Sequence, residues 1–138
     1  MTLHAPYDDA NIFAKMLRYE VPFIRVFEDD VALAFMDVFP QSEGHTLVIP
    51  KKEVDYIFDL DEKSLSGLMI FAQKVARKIE AAIDCKRVGV LVIGTEVPHA
   101  HIHLIPFQEE SQMNIAAEKL KLPQEELAAI ATQIRSKK

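Results

Sequence analysis

Residues 97–107 read VPHAHIHLIPF, and this stretch holds three of the chain's five histidines, at positions 99, 101 and 103. In an extended strand, residues i, i+2 and i+4 point to one face, roughly 7 Å apart per step. His99, His101 and His103 are therefore expected on a shared face, with Ala100, Ile102 and Leu104 turned the other way into an apolar core. A lone histidine on such a strand is most often a hydrogen-bonded core residue, whereas three in register form a site. Two chemistries use a row of this kind. One is metal binding, because neutral imidazole ligates zinc and H-x-H on a strand supplies two ligands. The other is nucleophilic catalysis, in which one imidazole attacks and its neighbours orient it or move protons. An ordinary histidine pKa of about 6.5 supplies neutral imidazole for attack and imidazolium to act as acid. The spacing alone leaves both chemistries open.

Outward from this strand, VGVLVI (88–93) reads as its neighbour, joined to it through a turn at 94–98. Leu65, Leu68, Met69, Ala72, Val75, Ala76, Ile79 and Ile83 follow the three-four spacing of one long helix, with Asp61 as its cap and Cys85 just past its end. IRVFED (24–29) and VALAFMD (31–37) form a hairpin across a short acidic turn, DVFPQSEG (37–44) is a loop, and HTLVIP (45–50) is a third strand. Ile12, Phe13, Met16 and Leu17 make a short amphipathic helix, capped by Asp8, Asp9 or Asn11. Pro123 stands at the first position of a C-terminal helix with Leu127, Ile130, Ala131 and Ile134 on one face. The result is an α+β fold: a five-stranded antiparallel sheet with one long helix and shorter N- and C-terminal helices.

The chain has 138 residues without repeats or linkers, which predicts one domain spanning 1–138. A net charge of −5 argues against nucleic-acid binding but allows a small anion held locally. The single cysteine excludes an internal disulfide and fits a reducing, cytoplasmic setting. The N-terminus lacks the basic segment and apolar core of a signal peptide, and no apolar run is long enough to span a membrane.

FEDDVALAFMDVFPQSEGHTLVIPKK (27–52), together with HAHIHLI (99–105), resembles the histidine triad (HIT) family of nucleotide-binding hydrolases and transferases. The likeness runs from about 12 to 107, the catalytic part, leaving 108–138 as a helical extension. It is closest to the nucleoside phosphoramidase branch, whose members cleave a P–N bond. The resemblance implies that His101 attacks the α-phosphate to give a nucleotidyl-histidine, which water then hydrolyses. It implies that His103 contacts phosphate oxygens, that His99 holds the histidine network and that His45 is its fourth member. Asp37 would accept hydrogen bonds from the ribose hydroxyls, although an aspartate here also suits the opening of the DVFPQ turn. Phe13, Met16, Phe35, Met36 and Val38 match positions that wall the base pocket, and on pattern alone they are core residues. The implied ligand is a purine nucleotide, the implied assembly a homodimer, and no cofactor or metal is required.

Two departures stand out. Where many relatives carry Gly-Gln-Ser or Gly-Gln-Thr, this chain has Gly94-Thr95-Glu96, placing Glu96 at the phosphate-contacting hydroxyl position, either as a proton donor or as a turn residue facing solvent. Asn11, Ala14 and Glu53 occupy positions where some relatives hold a structural zinc through cysteines and histidine, so that metal is not expected. The competing readings are a dinucleoside polyphosphate hydrolase, a nucleotide-binding module with little turnover, and a metal hydrolase using His45, His99 and His101. The last lacks an acidic ligand near the strand. The extension packs on a partner, caps the pocket or is simply solvated; its sequence does not choose.

Overall fold

A computed structural model describes residues 3–138. In chain order the elements are α1 (Ile12–Leu17), β1 (Arg25–Glu28), β2 (Ala32–Met36), β3 (Thr46–Pro50), α2 (Glu62–Ala82), β4 (Arg87–Leu91), β5 (Ile102–Phe107) and α3 (Gln124–Arg135). The five strands form one sheet in the order β1-β2-β3-β5-β4, and every neighbouring pair is antiparallel. This is the α+β architecture the pattern predicts.

The sheet carries two apolar layers because its central strands are buried on both faces. On one face, Ala32, Ala34, Met36, Val48, Ile102 and Leu104 pack beneath Leu68, Phe71, Val75 and Ile79 of α2 and Leu127, Ile130 and Ile134 of α3. Each large side chain removed from water there contributes roughly 1.5–3 kcal/mol. On the other face, Leu33, Phe35, Leu47 and Ile49 gather around Phe13 of α1. Met36 thus follows the strand alternation into the α2 layer, away from Phe35. That corrects its expected place in the base pocket.

Local chemistry sets the helix ends. Asp61 accepts from Ser64 N at 2.7 Å and caps α2 as expected. With only six residues, α1 has little intrinsic stability. It is held by Asn11, whose Oδ1 accepts from Ala14 N at 2.9 Å, and by burial of Phe13. Pro123 is the residue before α3 rather than its first helical position, with extended backbone at ψ 150°.

The histidine stretch differs from a continuous strand. β5 begins only at Ile102. Upstream, the chain leaves β3 at Pro50, which has no N–H to give, and Ala100 N donates to Val54 O at 2.8 Å instead. His99 lies in a bend, its N–H donating to Val97 O at 2.8 Å, His101 lies in the link that follows, and of the three only His103 is within the strand. Gly44 turns the chain into β3 with φ 96°; a Cβ there would meet Ile83 and Pro106 side chains at 3.0 and 3.1 Å. Glycine suits the position through both its backbone and its size, and the turn delivers His45 to the same face as the other three.

Candidate active site

The four histidines form one buried group on the α1 face of the sheet, with His45 and His99 fully enclosed and His101 and His103 7% and 9% exposed. Ring centroids of His101 and His103 are 5.3 Å apart, and those of His45 and His103 are 5.2 Å apart. Phe13 meets the His101 ring edge-on at 5.0 Å and Phe35 at 5.3 Å. The shared face predicted from the alternation is therefore formed, although most of it precedes the strand.

Hydrogen bonds to groups that can only donate or only accept assign each proton. His101 Nδ1 lies 2.7 Å from the His99 carbonyl oxygen. A carbonyl only accepts, so Nδ1 carries the proton and Nε2 is left with a free lone pair. His99 Nε2 donates to Pro50 O at 2.9 Å, and its Nδ1 accepts from the Tyr7 hydroxyl at 2.6 Å. Asn11 Nδ2 in turn donates to that hydroxyl at 3.0 Å. His45 Nδ1 accepts from the Gln41 backbone N–H at 2.9 Å, leaving its Nε2 proton to donate to His103 Nδ1 at 3.0 Å. The His103 proton then sits on Nε2, available to a ligand oxygen.

Burial keeps these rings neutral. It lowers the pKa of His45 to about 3 and that of His103 to about 4, and it lowers those of His99 and His101. Burial thus disfavours the expected imidazolium among the four, most strongly at His45 and His103. Neutral His101 is what attack on phosphorus needs.

Asp37 Oδ1 accepts from Phe39 N at 2.8 Å, which is the turn role, while Oδ2 lies 3.5 Å from His45 Nε2. Burial pushes its carboxyl above the usual range. Asp37, His45 and His103 bring one donor atom each within 4.8 Å of one another. The acidic partner judged absent from a metal site is thus present, but beside His45 and His103. His99 has both ring nitrogens committed to Tyr7 and Pro50, so the set His45, His99 and His101 does not come together as ligands. Asn11 caps α1 and anchors Tyr7, and Ala14 offers no donor, so those positions do not supply the zinc ligands of some relatives.

Among the base-pocket candidates, Phe13 and Phe35 form the apolar floor and Met16 packs against it. Val38 is half exposed on the turn, and Met36 lies on the opposite face. Glu96 is exposed in the turn before the histidines. Its charge nevertheless reaches Asp37 and His101. Two cavities of about 320 and 640 Å³ elsewhere on the surface are lined by none of the four histidines. The histidine face forms a shelf that meets solvent only at the edges of His101 and His103. Tyr7, Gln41 and the Pro50 carbonyl were not anticipated from the sequence.

An antiparallel α+β sheet presenting a row of buried neutral imidazoles, one with a free ring nitrogen, is the architecture of a histidine triad domain. A family model described as HIT domain matches residues 18–110, and the chain belongs to the HIT family. It is 33% identical to an adenosine 5'-monophosphoramidase of Saccharomyces cerevisiae, with 80% of this chain and 70% of the relative covered. It is 30% identical to an adenosine 5'-monophosphoramidase of Schizosaccharomyces pombe, over 91% and 96% of the two chains. A crystal structure of a HIT-like protein from Bartonella henselae superposes with a TM-score of 0.83 at 38% identity, covering 95% of this chain and 98% of that one.

Proposed function

We propose that this protein hydrolyses purine nucleoside monophosphate derivatives, phosphoramidates or closely related compounds, at the α-phosphate through a nucleotidyl-His101 intermediate. The observation that carries the reading is the His101 tautomer: Nδ1–H is held by the His99 carbonyl, leaving the Nε2 lone pair free. In the first step that lone pair forms a bond to phosphorus, and the P–N bond to the leaving amine breaks. The positive charge then developing on the imidazole spreads to Nδ1–H, where the carbonyl oxygen stabilises it. His103 Nε2–H would donate to a non-bridging phosphate oxygen. Because burial disfavours an imidazolium among these histidines, the leaving amine takes its proton from the substrate or from solvent. In the second step water attacks phosphorus, the bond to Nε2 breaks, and the nucleoside monophosphate leaves with the imidazole neutral again. Phe13 and Phe35 would receive the base against their rings, and Asp37 Oδ2 the ribose hydroxyls.

Support also comes from two phosphoramidase relatives matched over most of the chain. Among the described residues no helix is long and apolar enough to cross a membrane, and with the lone thiol Cys85 we place the protein in the cytoplasm. β4 ends the sheet with a free edge, and Val90, Val92 and Ile93 are exposed along and just after it. We place the second copy of a homodimer against that edge. The test of the activity is turnover of adenosine phosphoramidate compared with diadenosine polyphosphates. Faster cleavage of the amidate is expected; preference for the polyphosphates would replace the reading with a dinucleoside hydrolase, and turnover of neither would leave a binding module.

A further inference from the structure

The stretch between β5 and α3 takes no part in the sheet, yet it is tied to the site. Leu120 N donates to Pro40 O at 2.8 Å, pinning residues 114–120 to the turn that follows Asp37. With its amide turned to the orientation that satisfies both of its ends, Gln41 bridges to the same segment, its nitrogen donating to Asn114 O at 3.1 Å and its oxygen accepting from Lys119 Nζ at 3.2 Å. Through its backbone N–H, buried Gln41 also holds His45. One residue thus joins the extension to the histidine network.

Lys119 Nζ further donates to the carbonyl oxygens of Ile115 and Ala117. These partners are all neutral, and no ion pair among the described residues includes Lys119. Its positive charge is thus fixed in place by neutral acceptors and left uncompensated by any ion pair among the described residues. The field of Lys119 falls on Asp37, His45 and His103. The fixed charges opposing it are anionic, with Asp37 and Glu96 both facing the shelf, while the histidines are neutral. A phosphate bound there meets two carboxylates and needs a cation.

We infer that residues 114–120 are part of the nucleotide site and that Lys119 is a positioning cation, selecting a phosphorylated nucleoside over the bare nucleoside. The inference rests on the nucleotide reading above and deepens it. Its test is calorimetric binding of AMP and of adenosine to wild type, Lys119→Gln, Lys119→Met and Lys119→Arg. The glutamine is neutral and retains two N–H donors, the methionine is neutral with none, and the arginine keeps the charge. Each protein's bound AMP is also titrated by phosphorus NMR. The titratable groups whose charges act on Asp37 and the histidines, and so bear on that titration, are Asp55, Glu96 and Lys119 together with His45, His99, His101 and His103 themselves.

Lys119→Gln and Lys119→Met are expected to weaken AMP about tenfold and to leave adenosine unchanged, as befits loss of a nearby positive charge whose own N–H groups are held by Gln41, Ile115 and Ala117. Lys119→Arg should restore AMP binding. The second ionisation of bound phosphate should rise in the uncharged variants, because the cation that favoured the dianion is gone. Equal weakening of AMP and adenosine with an unmoved phosphate titration would overturn the inference and leave the segment a structural strap. Unchanged AMP binding would overturn it as well. A wild type that binds neither ligand would bring down the nucleotide reading itself, an outcome separable from the variants' behaviour.

Discussion

His101 Nδ1 sits 2.7 Å from the backbone carbonyl oxygen of His99, and this contact selects the tautomer that leaves the other ring nitrogen with a free lone pair. The oxygen belongs to the main chain, so the bond depends on how His99 is held. Its ring is fixed between the Tyr7 hydroxyl and Pro50 O. Tyr7→Phe removes one end of that clamp and strands His99 Nδ1 in a buried setting. It is expected to cost about 1–3 kcal/mol of stability, read from denaturant unfolding. A loss below a few tenths would mean that the clamp does not set the position.

The pH dependence follows from burial. A histidine whose folded pKa lies below its unfolded value is more protonated in the unfolded chain between the two values, so stability rises with pH there. For His45 and His103 the folded values are about 3 and about 4. Their contribution is complete above the unfolded value of about 6.5 and is lost as pH falls from there toward 4. Each neutral ring contributes at most about 1.4 kcal/mol per pH unit to the slope. The melting temperature should fall from pH 6.5 to 4, and less steeply in His45→Gln. A melting temperature flat across that window would contradict the neutral network. The same lowering at His101 places the acid limb of kcat/KM below pH 6.5.

Asp37→Asn separates the ribose role from the turn. The amide oxygen still accepts from Phe39 N, so the turn is kept. Binding of ribonucleotides should weaken by roughly 1.5–3 kcal/mol, with 2′,3′-dideoxy analogues almost unaffected. Equal losses for both would reduce Asp37 to a turn residue.

Glu96 is exposed, and its charge falls on Asp37 and His101. Glu96→Ser should retain activity and raise it toward phosphoramidates, since an anion near the phosphate is removed. A hundredfold fall in kcat/KM, roughly 2.7 kcal/mol of transition-state stabilisation, would make Glu96 the missing acid.

The histidine row and both sheet faces were legible because period-two alternation is a local property of sequence. Helix α2 and its Asp61 cap were legible for the same reason. Phe35 and Met36 were both assigned to the pocket by family position, and strand alternation, which sends neighbours to opposite faces, turns Met36 to α2. The proton positions were not legible, because they depend on backbone groups of His99, Pro50 and Gln41 brought together by the fold. Tyr7 reaches His99 across 92 residues, and nothing in the spacing of an N-terminal tyrosine signals that contact. The downward direction of the histidine pKa values was not legible, because burial, unlike pattern, needs the packed structure before it can be judged.

The most direct test of the account is rapid quenching of the protein with adenosine phosphoramidate under neutral conditions, followed by mass mapping of the modified residue. The account predicts an AMP adduct on His101 alone, labile to acid as a phosphorus–nitrogen bond is, and absent from a folded His101→Ala variant that still binds AMP but no longer turns over. An adduct on another histidine, or substantial turnover by His101→Ala, would contradict it.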